Sequence, residues 1–215
     1  MKPYPFPKAI IFDWDNTLVD SIPVVYEAMK KTFDAFGKKA PSLDDLYHMQ
    51  GLSLRDSFPL IFKDDWEKAK KMYLDTFEEV HLQKVRPFDK VEELLDYAVE
   101  KIGVLTVLSN KTGRILRKEA DFFGWTKYFQ ALVGSMDAPV DKPDGKAAEF
   151  ALKNTGIDCA KDTVWFVGDG GVDVQCAQAI GAFPVHIGDK KGYENIPCCL
   201  EKCADLLDLL RTYEK

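Results

Sequence analysis

The sequence contains no long uninterrupted apolar run, although 46% of its 215 residues are hydrophobic. No stretch approaches the roughly 20 apolar residues that a membrane-spanning helix needs. The amino-terminal residues Met1–Pro7 include a lysine but are interrupted by prolines, so they lack the apolar segment of a secretory signal. We therefore expect a cytoplasmic protein with no membrane partner.

Basic residues are fewer than acidic ones. Lysine and arginine number 29 against 35 acidic residues, and the net charge is −6. Proteins that bind nucleic acids neutralise phosphates with lysine and arginine, and this chain has no long basic run with which to do so. We expect no nucleic-acid partner.

The cysteines, which are odd in number and lie toward the C-terminus, and the scattered histidines show no evident metal or disulfide framework. Five cysteines are present, and Cys198, Cys199 and Cys203 lack both a Cys-x-x-Cys pair and a neighbouring histidine. They are expected to be reduced structural thiols. The three histidines fall in no motif and are expected to be surface or packing residues.

A block of helical pattern occupies residues 21–86. No strand-like pattern occurs between Asp20 and Val85, and apolar residues recur at helical spacing. The block is long enough for a compact all-α helical bundle with its own small core. Four helices are predicted there: from Ile22 to Phe36, after Ser42, after Ser53, and from about Asp65 to Gln83.

Residues 1–20 and 87–215 alternate apolar runs with helical patterns. Such alternation predicts an α/β fold with a doubly wound parallel sheet, which the helical block interrupts after its first strand. Helices are expected near residues 90–101, 114–123, 146–153, 172–180 and 203–212. The predicted strands are Ala9–Phe12, Val104–Leu108, Ala131–Val133, Thr163–Val167 and Phe183–Ile187.

Two aspartates, Asp13 and Asp15, directly follow the apolar run Ala9–Phe12. In an extended chain, side chains two residues apart project in the same direction. Two carboxylates held this close need a counter-ion, and a hard divalent cation such as Mg²⁺ prefers oxygen ligands. An acidic turn after a strand is the simpler alternative, so other parts of the sequence must decide.

Three further groups of polar residues follow predicted strands. Ser109 and Asn110 follow Val104–Leu108, Lys142 lies in the loop after Ala131–Val133, and Asp169 and Asp173 follow Thr163–Val167. Each has an ordinary explanation as a helix cap, a solvated lysine or a turn. Together they should meet at the carboxyl edge of one parallel sheet, where α/β proteins bind ligands.

These four groups resemble the motifs of the haloacid dehalogenase-like superfamily. The resemblance covers essentially the whole chain, and its most specific parts are Asp-x-Asp-x-Thr-Leu-Val-Asp-Ser at 13–21 and Gly-Asp-x-x-x-Asp at 168–173. It implies a Rossmann-like core of residues 1–20 and 87–215. It also implies that residues 21–86 form an inserted helical cap, like that of the phosphoglycolate phosphatase branch.

The resemblance implies a role for each site residue. Asp13 would attack phosphorus to give an aspartyl-phosphate, and Asp15 would protonate the leaving group and later deprotonate water. Ser109 and the backbone amide of Asn110 would bind phosphoryl oxygens. Lys142 would supply a fixed positive charge to the same group.

The resemblance also implies a Mg²⁺ cofactor. Its ligands would be Asp13, Asp169 and the backbone carbonyl of Asp15. Asp173 would support the site, either by reaching the metal through water or by orienting Lys142.

Three alternatives to a phosphatase function are considered against the residues present. Dehalogenases of the family lack an acid at the position of Asp15, so phosphoryl chemistry is favoured. Sugar-phosphate mutases place a histidine in the helix after the first motif, where this chain has Val24, Val25 and Tyr26. The third alternative, a catalytically silent phosphate- or partner-binding member, is disfavoured by the intact set of site residues.

The expected substrate is a small phosphorylated metabolite, with phosphoglycolate first and a sugar phosphate or nucleotide close behind. The segment 51–55 resembles a substrate-facing cap loop, and its Arg55 would either contact an anionic substrate group or be a solvated residue at a helix start. Trp14 is expected to pack away from the two aspartates. A monomer or a homodimer is expected.

Overall fold

A computed structural model describes residues 4–48 and 53–214. Its centre is a six-stranded sheet in the order β5-β4-β1-β6-β7-β8, in which all neighbouring strands are parallel. This agrees with the predicted α/β fold. The strands are β1 Ala9–Phe12, β4 Leu105–Thr112, β5 Ala131–Ser135, β6 Val164–Gly168, β7 Phe183–Ile187 and β8 Cys198–Leu200.

Strand β1 lies at the centre because its side chains are apolar on both faces. Ile10 and Phe12 belong to one buried cluster, and Ala9 and Ile11 belong to another on the opposite face. Side chains alternate between the faces of a strand, so an uninterrupted apolar run suits a strand that is covered on both sides.

Helices cover both faces of the sheet, as in a doubly wound fold. Residues of α5, α6 and α9 share the cluster of Phe12, whereas residues of α7 and α8 share that of Ile11. The sequence placed these helices to within a residue or two. They are α5 Val91–Lys101, α6 Gly113–Phe122, α7 Gly145–Leu152, α8 Gly171–Ala179 and α9 Cys203–Arg211.

The described residues of the block 21–86 are mostly helical, as predicted. Its aromatic core includes edge-on contacts of Phe33 with Phe62, at 5.1 Å between ring centroids, and of Phe58 with Tyr73, at 5.6 Å. Gly37 follows the first helix with a φ of +62°, a left-handed conformation that suits glycine. The helices are α1 Ile22–Ala35, α2 Leu43–His48, α3 Leu54–Phe62 and α4 Trp66–Lys84.

The chain enters and leaves this block through a short two-stranded ribbon. Strand β2, Val19–Asp20, pairs antiparallel with β3, Arg86–Pro87. The ribbon brings together the two points at which the sequence pattern changes. No helix in the described part of the chain combines the length and the hydropathy required to cross a membrane.

Strand β8 was missed by the sequence analysis. It pairs with the edge strand β7 and contains Cys198 and Cys199; Cys198 is buried. All five cysteines are free thiols. A three-residue strand has too few positions to show the alternation by which strands are predicted.

Candidate active site

Three of the predicted site residues, Asp13, Ser109 and Asp169, lie in or directly after three adjacent strands. Asp13 follows β1, and its backbone amide donates to the carbonyl of Val167 in β6 at 2.8 Å. Asp169 directly follows β6, and Ser109 lies in β4 on the other side of β1. The carboxyl ends of these parallel strands share one edge, which is where open α/β sheets bind ligands.

Strand β4 is irregular where it carries Ser109 and Asn110. Leu108 pairs with Val133 and Thr112 pairs with Ser135, so three residues of β4 face the single residue Gly134 of β5. A bulge of this kind redirects side chains and is common beside active sites. A Cβ atom at Gly134 would overlap neighbouring backbone, so only glycine permits this close approach.

The side chain of Lys142 is buried between two carboxylates. Its Nζ lies 2.5 Å from Asp13 Oδ1 and 2.6 Å from Asp173 Oδ1, and its side chain is only 2% exposed. Burial by itself would lower the pKa of Lys142, but the two carboxylates outweigh it and raise that pKa above its usual value. Lys142 is therefore a fixed cation at the sheet edge.

Asn110 fixes the loop that carries Lys142. Its side-chain amide donates to the backbone carbonyl of Lys142, and its Oδ1 accepts from the backbone amide of Lys142, both at 3.0 Å. The predicted contact of the Asn110 backbone amide with a phosphoryl group remains a prediction. Ser109 is 3% exposed, and its Oγ accepts from the Lys111 amide at 3.2 Å.

Carboxylate oxygens of Asp13, Asp169 and Asp173 lie within 4.8 Å of one another. Burial, together with the negative charge of neighbouring aspartates, raises the pKa of Asp13 to about 7 against the opposing effect of Lys142. The pKa of Asp169 is raised well above its usual value, first by burial and then by Asp13 and Asp173. Three carboxylates around one ammonium leave negative charge uncompensated, so this oxygen-rich group fits a hard divalent cation.

The carboxylate of Asp173 contacts two groups beside the site, and its supporting role remains a prediction. Besides its contact with Lys142, its Oδ2 accepts from the backbone amide of Gly170 at 2.9 Å. A Cβ atom at Gly168 would overlap the Asp173 carboxyl group. Glycine at position 168 is therefore what allows this carboxylate to reach Lys142.

The carboxylate of Asp15 belongs to a different cluster. Its Oδ1 lies 2.5 Å from Nζ of Lys111, which also contacts Glu119 Oε2 at 2.8 Å. No role was predicted for Lys111 or Glu119. His81, which was expected to be a surface or packing residue, has its Nδ1 3.0 Å from Glu119 Oε1. The sequence pattern could have indicated Glu119, because it is an acidic residue at a position of the buried, otherwise apolar face of α6.

Trp14 packs inside the protein, as predicted. It is fully buried, its ring lies edge-on to Trp125 at 5.7 Å, and its Nε1 donates to Glu119 Oε2 at 2.7 Å. The next residue but one, Asn16, has a φ of +57°. Asparagine tolerates this left-handed conformation better than most residues that carry a Cβ atom.

The side chain of Arg55 is 30% exposed and pairs with Asp141. Its guanidinium donates to Asp141 Oδ1 and to the Pro139 carbonyl, each at 3.1 Å, so α3 contacts the loop that carries Lys142. Arg55, Asp141 and Lys142 border a cleft of about 370 Å³ that also includes Gln175. Positions 51 and 52 of the predicted cap loop lie outside the described residues.

Comparison with known proteins shows which proteins this chain is similar to. A family model described as haloacid dehalogenase-like hydrolase matches residues 10–187. A phosphoglycolate phosphatase of Pseudomonas syringae pv. tomato is 28% identical, over 95% of this chain and 78% of the relative. A Clostridium perfringens protein whose name, pyrophosphatase PpaX, is provisional is 24% identical over 94% of this chain and 97% of its own.

A solved structure extends this likeness to the fold. A haloacid dehalogenase-like hydrolase from Streptococcus pneumoniae superposes with a TM-score of 0.81 at 22% identity, covering 98% of this chain and 99% of its own. The family match spans the three strands that carry Asp13, Ser109 and Asp169. The chain belongs to the haloacid dehalogenase-like hydrolase family, and phosphoglycolate phosphatases are among its relatives.

Proposed function

We propose that this protein is a Mg²⁺-dependent phosphatase that hydrolyses a small phosphate monoester through an aspartyl-phosphate on Asp13. The observation that carries the proposal is the buried group at the sheet edge, where Lys142 bridges Asp13 and Asp173 beside Asp169. A fixed cation next to a carboxylate nucleophile is the arrangement that phosphoryl transfer requires.

Asp13 is the nucleophile in this mechanism. One of its carboxylate oxygens attacks phosphorus, and the ester P–O bond breaks with its electron pair going to the leaving oxygen. Lys142 stays beside the reacting group throughout, because its ammonium is held from two sides. A divalent cation bound by Asp13, Asp169 and the backbone carbonyl of Asp15 would supply further positive charge to the phosphoryl group.

Asp15 handles the proton in both half-reactions. It gives a proton to the leaving oxygen in the first, and it removes one from the water that attacks the aspartyl-phosphate in the second. Ser109 and the amide of Asn110 bind phosphoryl oxygens. Hydrolysis then releases inorganic phosphate and restores the Asp13 carboxylate.

The proposed division of the chain assigns this chemistry to a core of residues 1–20 and 87–215. Residues 21–86 form a cap over the site. The ribbon of β2 and β3 at the two boundaries supports this division, as does the contact of Arg55 in α3 with Asp141 beside Lys142. Phosphoglycolate and pyrophosphate are the substrates suggested by the names of the relatives.

A panel of phosphate esters tests the proposal, with Mg²⁺ or with EDTA. It should include phosphoglycolate, a sugar phosphate, a nucleotide and p-nitrophenyl phosphate, and the anhydride pyrophosphate should be assayed beside these esters. We expect Mg²⁺-dependent phosphate release that Asp13→Asn abolishes and that Asp208→Asn, at an exposed position in α9, leaves intact. Turnover by Asp13→Asn at the wild-type rate would refute the assignment.

The two rival functions give different results in the same assay. A mutase would interconvert sugar phosphates without net phosphate release. A silent member would bind a phosphorylated ligand with no turnover of any ester. The intact set of Asp13, Asp15, Ser109, Lys142 and Asp169 favours hydrolysis over both.

A further inference from the structure

A second lysine is buried beside the reacting groups. Lys111 follows Ser109 by two residues, and its side chain is only 4% exposed. Its Nζ lies 2.5 Å from Asp15 Oδ1, 2.8 Å from Glu119 Oε2 and 5.0 Å from the ring centre of Phe77 in α4. The ammonium therefore has a carboxylate on two sides and an aromatic ring on a third.

Glu119 holds this lysine in place. Its side chain is fully buried in α6, and it accepts hydrogen bonds from Trp14 Nε1 at 2.7 Å and from Lys111, with His81 Nδ1 also within 3.0 Å. Burial would raise the pKa of Glu119, but Lys111 and the other donors outweigh it and lower that pKa. Glu119 is therefore an anion with its acceptor oxygens fully engaged.

The fold alone does not explain this charged cluster. Glu119 lies on the inner face of α6 with Ile115, Leu116 and Ala120, where an apolar side chain would pack. A buried ion pair is often no more stabilising than apolar residues of similar size. Lys111 joins the cluster to the carboxylate of Asp15, which indicates that the cluster serves the candidate active site.

We propose that Lys111, fixed by Glu119, is a positioning residue for Asp15. It anchors one oxygen of the Asp15 carboxyl group, so that the other faces the leaving oxygen of the substrate. This inference rests on the proposed phosphatase function, because Asp15 needs a fixed direction only if it transfers protons. His81 and Phe77 extend the cluster to α4. The position of this helix therefore also constrains Lys111.

The leaving group provides the test. An aliphatic phosphate ester needs a proton on its leaving oxygen, whereas p-nitrophenyl phosphate has a good leaving group and needs little help. The value of kcat/KM reports steps up to transfer of the phosphoryl group to Asp13, so it isolates the half-reaction in which Asp15 acts as an acid. The aliphatic probe is the best such ester found in the substrate panel.

The variants are Lys111→Met and Asp15→Asn, with Lys118→Met, an exposed lysine of the same helix as Glu119, as the control. Asp15→Asn should lower kcat/KM for the aliphatic ester by roughly 10²- to 10⁴-fold, the usual contribution of a general acid. Lys111→Met should lower it by about 10-fold or more, with a much smaller effect on p-nitrophenyl phosphate. Combined with Asp15→Asn, it should add little.

Equal losses on the two esters, or no loss on either, would overturn the inference. So would full additivity of Lys111→Met with Asp15→Asn. If Lys111→Met does not fold, Lys111→Met/Glu119→Gln removes both charges and should show the same selective loss. A wild-type protein that hydrolyses no ester would refute the proposed function instead, so the two failures are distinguishable.

Discussion

Replacing Lys142 by methionine should destabilise the protein by several kcal/mol. The substitution removes an ammonium that is 2% exposed and lies 2.5 and 2.6 Å from two buried carboxylates. Removing one partner of a buried ion pair costs about 3–5 kcal/mol, because the remaining charge stays desolvated. For a chain of this size, that corresponds to a melting temperature about 6–20 °C lower.

The loss of unfolding free energy caused by Lys142→Met should grow as the pH rises. The pKa of Asp13 is raised to about 7 in the folded wild-type protein, above its value in the unfolded chain. The folded state therefore holds a proton that the unfolded state has lost, and the free energy of unfolding falls as the pH rises from about 4 to about 7. Without Lys142 the pKa of Asp13 rises further, so the fall should continue above pH ~7.

Urea unfolding in EDTA at about pH 5 and about pH 8 measures both effects. Lys146→Met is the matched control, because Lys146 is exposed in the neighbouring helix α7. A loss below about 1 kcal/mol for Lys142→Met, with the same pH dependence as the wild type, would refute the reasoning, since such losses are typical of surface substitutions.

Three further predictions follow from the site. Mg²⁺ should raise the melting temperature more at about pH 8 than at about pH 6, because protons compete with the cation for Asp13; equal shifts would contradict this. Gly168→Ala should lower activity at least ~10-fold, because the added Cβ displaces a site carboxylate, whereas Gly171→Ala meets only ordinary contacts and should cost little. Trp14→Phe should cost about 1–3 kcal/mol in urea unfolding, because it leaves Glu119 without one of its buried donors.

Much of the fold was predictable because its signals are local. The run Ala9–Phe12 is apolar at every position, and this predicts a strand buried on both faces. Helices α5 to α9 have apolar residues at helical spacing, and a glycine in the left-handed conformation follows α5, α6 and α8. Strand β8 is too short to show a pattern, and its three residues pair only because β7 leaves an open edge.

The proximity of the predicted site residues could be predicted from the sequence, whereas the contacts between their side chains could not. Parallel strands bring Asp13, Ser109 and Asp169 to one edge, so their proximity follows from strand order. The contacts of Lys111 with Asp15 and Glu119 join residues 96 and 8 positions apart, and no local pattern encodes the first of them. Arg55 likewise meets Asp141 only because α3 packs beside the loop of the core.

The most direct test of the central claim is to trap the phosphorylated enzyme. The wild-type protein is mixed with its best substrate, quenched in acid within milliseconds, digested and examined by mass spectrometry. The account predicts one phosphoryl group on the peptide that contains Asp13, removed by hydroxylamine and absent from Asp13→Asn. A phosphoryl group on Ser109 or another residue, or rapid turnover with no labelled peptide, would contradict it.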